Sequence, residues 1–331
     1  MTHRRAIAGA IAFALVAAGC GPAPGPTEPL PSATTVAASC PATAEPDQSK
    51  IPDWSPTGQH PSVIPQIVSS AGTLACGHNR FMFGFLGSDN VPIGAPDRTA
   101  TVAFYDLGKD PATAIATKDA TFIWAIEGTR GVYVADVDFA TSGLYGAEFK
   151  TAAPGAAAET IRVQFDVLPR SQGIAVGDAA PASVTPTLAS VGGDVTKISS
   201  DASPDKAFYE TSVADALKAG KPFLLIFATP KFCTSRQCGP TLDRIKPIAA
   251  AHPGFTVINV EPYQLKDVDG QLQPVTTGDP PQLVPAQVTN DWRLLSEPWI
   301  YVVDKHGIVT ASFEAVASDA ELNAAIDAVL R

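Results

Sequence analysis

Chemistry in this chain of 331 residues concentrates in its five cysteines. Cys233 and Cys238 are separated by Thr234-Ser235-Arg236-Gln237. A loop of that length lets two Cα atoms approach to the roughly 4.4–6.8 Å that a disulfide needs. Because the thiolate is the nucleophile of disulfide exchange, one such sulfur can attack a substrate disulfide while the other resolves the mixed intermediate. Lys231 and Arg236 favour a thiolate at Cys233, and Cys238 precedes a helix start signalled by Pro240. Cys233 is therefore the expected attacking thiol and Cys238 the resolving one. Cys40 and Cys76 remain as an expected structural disulfide.

The fifth cysteine belongs to the N-terminus. His3-Arg4-Arg5 is followed by an apolar run, Ala6 to Gly19, of about 14 residues, too short to span a bilayer. Ala17-Ala18-Gly19-Cys20 resembles a bacterial lipobox, which implies a lipoprotein signal peptide over 1–20 and lipid on Cys20. Residues 21–65 hold 11 prolines. Such a segment cannot bury enough surface to offset ordering, so it reads as a disordered tether. The expected location is extracytoplasmic, lipid-anchored to the cell membrane, where an even remainder of four cysteines suits oxidising conditions. Lys plus Arg total 23 against 33 Asp plus Glu, a net charge of −10, which argues against a nucleic-acid partner.

Elements that must position these groups follow from periodicity. Over 66–170, short runs alternate apolar and polar residues: Phe81, Phe83 and Phe85; Val102 and Phe104; Phe122, Trp124 and Ile126; Ile161, Val163 and Phe165. Period two at this spacing predicts an all-β antiparallel sandwich. The Gly143 to Phe149 stretch resembles the tyrosine-bearing strand of immunoglobulin-like domains, with Tyr145 anchoring a corner. His78, Cys76 and Met82 carry soft ligand atoms, yet Phe81-Met82-Phe83 at strand spacing reads as sheet face, so no metal or cofactor is expected. The sandwich is a spacer or partner-docking module. Residues 171–200 read as a linker.

From 201 to 331 the pattern changes to helix alternating with strand. Phe223 to Phe227 is an apolar run expected between two covered faces. Leu242, Ile245 and Ala249 mark a helix, Phe255 to Val260 a strand, and Glu297-Pro298 precedes the strand Trp299 to Val303. Asp304-Lys305-His306-Gly307 is a hairpin turn, and Ser318 with Glu321 caps a closing helix. The strand-then-cysteine at Phe223 to Cys233, Pro240 in the next helix, and Glu297-Pro298-Trp299 resemble the thioredoxin family over about 120 residues. That resemblance implies an α/β thioredoxin-like domain. It implies Pro298, as a cis proline packed against the redox cysteines, as a third site residue, with the Trp299 backbone docking a substrate strand. The family's buried acid has no counterpart, because Ile226 and Phe227 occupy that stretch.

The expected function is a membrane-tethered thiol–disulfide oxidoreductase acting on protein thiols and disulfides outside the cytoplasm. Two alternatives stand beside it. One is a non-catalytic thioredoxin-like adaptor with a structural disulfide. The other is a copper carrier of the same fold, which requires a histidine near the cysteine loop.

Overall fold

The computed structural model describes residues 40–54 and 62–331. Cys20, the expected signal peptide and residues 21–39 and 55–61 of the expected tether lie outside the described residues. The period-two segments form eight strands: β1 Val63–Ile67, β2 Gly77–Gly87, β3 Thr99–Asp106, β4 Ala116–Asp119, β5 Thr121–Ile126, β6 Arg130–Phe139, β7 Gly143–Ala152 and β8 Glu159–Val167. They make two four-stranded antiparallel sheets, ordered β1-β2-β6-β5 and β4-β3-β7-β8. Alternation puts Phe81, Phe83, Phe85, Phe104, Tyr133 and Phe149 into one shared core, where aromatic rings pack edge-to-face and tilted. Tyr145 is buried, and its hydroxyl donates to the Thr141 carbonyl oxygen at 3.0 Å, closing a corner four residues back.

Residues 40–54 are packed on this body. Ile51 and Trp54 are buried with Leu107, the Trp54 indole donates to the Pro111 carbonyl, and Cys40 is bonded to Cys76. Tight approach is the reason Gly146 carries no side chain, since a Cβ there would run into the Trp54 ring.

A second sheet follows. Helix α1 spans Val213–Lys218, β9 Phe223–Phe227, α2 Cys238–Ala251 and β10 Thr256–Val260. Four short strands come next: β11 Leu265–Val268, β12 Gln271–Pro274, β13 Thr276–Thr277 and β14 Gln282–Leu283. The chain closes with α3 Gln287–Asp291, β15 Trp299–Val303, β16 Val309–Glu314 and α4 Asp319–Leu330. The main sheet runs β10-β9-β15-β16, with β10 parallel to β9 and the other pairs antiparallel. One face buries Leu224, Ile226 and Val302 under Leu242, Ile245, Leu322 and Ile326. The other buries Phe223, Leu225, Phe227 and Tyr301 with Trp292, Val213 and Ile174. Residues 171–200 thus contribute core here, and Ala179 forms a bridge to Ile308.

The expected class needs correction. Sixteen strands and four α-helices are present among the described residues, so the molecule is mostly β and no α/β thioredoxin-like arrangement is evident. Pro240 and the Ser318–Glu321 cap do start helices, α2 and α4, but these are the only helices longer than six residues among the described residues. Helices α1 and α3 have six and five residues, and residues 265–283, between β10 and α3, form two small β-hairpins.

The two halves share a hydrophobic contact and form one unit over Cys40–Arg331. Because both faces of sheet β1-β2-β6-β5 are apolar, its outer face is free to bury Met82, Ile123, Ala125, Val132 and Val134 against Val316 and Ala315. No helix among the described residues is long and apolar enough to cross a membrane.

Candidate thiol site

Strand β9, apolar at all five positions and wholly buried, delivers the chain to Cys233 at its open end. Helix α2 then starts at Cys238, with Pro240 in the first turn, where a missing N–H costs nothing. The two cysteines are disulfide-bonded with Cα atoms 6.1 Å apart. Their surroundings differ sharply. Cys238 is fully buried in the core beneath α2, whereas Cys233 is half-buried at its edge.

Donors converge on the Cys233 sulfur. The Cys238 backbone N–H, in the first turn of α2, donates to Cys233 Sγ at 3.3 Å. Ser235 Oγ also lies 3.3 Å from Cys233 Sγ. Such donors, together with the positive end of a helix, stabilise negative charge on sulfur. The N-cap residue, Gln237, has no capping hydrogen bond of its own, so this end of the helix dipole is left to the sulfur.

The intervening loop is fixed on both flanks. Ser235 O–H donates to the Glu297 carbonyl at 3.3 Å, and Gln237 N–H donates to Ser235 Oγ at 3.3 Å. Arg236 between them has φ 60°, a left-handed conformation unusual for a residue with a Cβ. From the sandwich, Arg130 Nη1 donates to the Ser235 carbonyl at 3.4 Å, and the buried Gln237 amide donates to the Ala125 carbonyl at 2.6 Å.

Pro298 follows Glu297 across a cis peptide bond and is buried. The Ser235–Glu297 hydrogen bond ties the residue before Pro298 to the cysteine loop. Its own carbonyl accepts from Ala315 N–H at 2.9 Å, and Trp299 is paired with Phe227 on one side and Glu314 on the other. That backbone is occupied within the sheet, so the expected docking of a substrate strand on Trp299 is not available. Lys231 is likewise committed elsewhere, its ammonium donating to the Leu272 carbonyl at 3.2 Å.

Two acids near the site had no sequence signal. Glu297 receives a hydrogen bond from Tyr263 at 2.7 Å, and burial followed by that carboxylate raises the tyrosine pKa well above its usual range. Glu261, at the end of β10, is 7 % exposed, and burial raises its pKa despite hydrogen bonds from Thr229 and Ser200. Only the strand register brings Glu261 beside Ala228, ahead of the cysteine loop. Ser235, Gln237 and Arg130 were equally silent, because their partners lie 62 to 112 residues away.

No histidine of the described residues is bonded to the cysteine loop. His78 faces Asp136 and Asp138, His252 faces Ile248 and Asp327, and His306 sits in the Asp304 turn. Among the described residues no group of three His, Cys, Asp or Glu side chains could hold a metal ion.

No known family model and no curated protein matches the chain. A crystal structure of a DUF4426 family protein from Pseudomonas aeruginosa PAO1 is similar at 12% identity and TM-score 0.24, covering 34% of this chain and 96% of that one. A likeness at that level assigns neither fold nor function.

Proposed function

We propose that the chain is an extracytoplasmic thiol–disulfide oxidoreductase working through Cys233 and Cys238, held at the membrane by lipid on Cys20. The observation that carries this reading is the asymmetry of the pair. One sulfur is reachable and sits on two donors, while the other is fully buried behind it. In the reducing direction, the Cys233 thiolate attacks a substrate disulfide, and the departing substrate sulfur takes a proton. The Cys238 thiolate then attacks Cys233 Sγ, closing the disulfide and releasing the second substrate thiol. The oxidising direction is the reverse. Partners are proteins bearing exposed thiols or disulfides, and no bound cofactor is needed.

The test is the reduction potential of Cys233–Cys238 in the full chain, equilibrated in detergent against glutathione buffers. A value between about −120 and −270 mV, with turnover of a model disulfide, supports exchange. A value below about −300 mV without turnover makes the pair a structural staple and refutes the proposal.

A further inference from the structure

The four residues between the cysteines reach in two directions that the exchange reaction does not itself require. Ser235 places its hydroxyl 3.3 Å from Cys233 Sγ while its own O–H is aimed at the Glu297 carbonyl. Gln237, instead of capping α2, spends its side-chain amide on Ala125 of β5. Arg130, the first residue of β6, holds the Ser235 carbonyl, and Arg244 of α2 donates to the Trp124 carbonyl at 2.8 Å. Thus the β5–β6 hairpin of the sandwich touches both the loop and the helix that bear the cysteines.

We propose that the sandwich completes the thiol site: the β5–β6 hairpin positions the loop so that Ser235 O–H and Cys238 N–H both stabilise the Cys233 thiolate. This rests on the exchange reading for its purpose, but the thiol's acidity can be measured without turnover. When the disulfide is opened by two electrons and two protons from a dithiol reductant, Cys233 sheds its proton to solvent. Its thiolate then becomes the best acceptor within reach of Ser235, which swings its O–H from the Glu297 carbonyl to sulfur. A hydroxyl hydrogen bond to a charged partner is among the stronger kinds in proteins. Ser235 is therefore a catalytic residue in contact with the reacting atom, and Gln237 and Arg130 are its positioning residues.

The experiment follows iodoacetamide modification of Cys233 against pH in the reduced full chain, read at the Cys233 peptide by mass spectrometry. Ser235→Ala should raise the midpoint by about one pH unit, a tenfold slower reaction below the midpoint, and Ser235→Thr should restore it to within about twofold. Gln237→Ala should slow the reaction about threefold at the same pH, because the donor is less well placed. Thermal unfolding of each variant reports folding separately. An unchanged midpoint in Ser235→Ala overturns the proposal. So does a Gln237→Ala chain that unfolds earlier but keeps the parental midpoint, since the hairpin would then be structural only. A low, Ser235-dependent midpoint in a protein that never exchanges with disulfides would leave this inference standing and remove the exchange reading.

Discussion

The contact between the sandwich and the C-terminal sheet makes a quantitative prediction through Arg80 and Glu321. Arg80 Nε meets Glu321 Oε1 at 2.7 Å and Nη2 meets Oε2 at 3.2 Å, a two-pronged pair joining β2 to α4. Its side chains are 14% and 29% exposed, placing the pair between a surface bridge and a buried one. Exposed pairs contribute about 0–1 kcal/mol, while breaking a buried pair costs about 3–5 kcal/mol. Glu321→Gln should therefore destabilise by about 2 kcal/mol, lowering Tm by about 4 °C for a chain of this size. Glutamine can still accept from Ser318 N–H, which Glu321 holds at 2.7 Å, so the cap survives and the loss reports the ion pair.

The pH dependence gives the sign. Burial works to raise the Glu321 pKa, but hydrogen bonding and charge from Arg80, with help from Ser318, outweigh it and hold the carboxyl below its ordinary value. A depressed folded pKa contributes stability that is complete above the unfolded value, about 4.3, and disappears as pH falls through the folded one. Thermal melts of parent, Glu321→Gln, Arg80→Met and the double variant at pH 7 should give a coupling energy of about 1–2 kcal/mol, shrinking in the acid range. A coupling below about 0.3 kcal/mol at pH 7, or one that does not change with acid, would refute the reasoning. Neither Arg80 nor Glu321 is bonded to the cysteine loop, so Glu321→Gln should leave the Cys233 alkylation midpoint where it is.

Three further outcomes are expected. Cys40 and Cys76 close a span of 36 residues and Cys233 and Cys238 one of five, so loop entropy assigns about 4 kcal/mol to the first link and about 2 kcal/mol to the second. Denaturant unfolding of Cys40→Ser against Cys238→Ala should show that order. Glu261→Gln should stabilise at neutral pH: a buried carboxyl with a raised pKa costs stability as pH climbs past its unfolded value, and the gain should vanish in acid, as melts across pH would show. Tyr209, raised to about 12 chiefly by burial, favours the fold below the phenol's unfolded value of about 10 and loses that contribution as pH rises toward 12. Absorbance titration should therefore find buried tyrosines, Tyr209 and Tyr263 among them, ionising together with alkaline unfolding, and Tyr209→Phe should reduce the amplitude of that step by one tyrosine.

Local elements were legible where one period dominates. Phe81, Phe83 and Phe85 alternate, and all three lie in one strand, Gly77–Gly87. Ser318 and Glu321 mark the start of α4, and both cysteine pairs are bonded as their number and spacing anticipated. The class of the C-terminal half was not legible. Capping residues announce where a helix begins but not how long it runs, and the hairpins around Leu272 and Gln282 have too little apolar alternation to register. In the candidate site, the cysteines identified themselves through chemistry, whereas Ser235, Gln237 and Arg130 became visible only through contacts far apart in sequence. Polar residues in a short loop carry no periodic signal, so their roles depend on what the fold brings against them.

That dependence also explains why the loop has its shape. Arg236 at φ 60° occupies a conformation that costs an ordinary residue about 1–2 kcal/mol, and such a conformation persists only where its neighbours over-determine it. Here the two neighbours are pinned from opposite sides: Ser235 to the Glu297 carbonyl beside Pro298, and Gln237 to Ala125 in the sandwich. Neither anchor alone fixes the turn between them. A shorter loop between the cysteines would lack a residue to reach the sandwich, and the sandwich without that loop would leave the Ala125 carbonyl unpaired by Gln237. The spacing of four residues and the apposition of the two halves are therefore one structural fact, with the Cys233 sulfur at its centre.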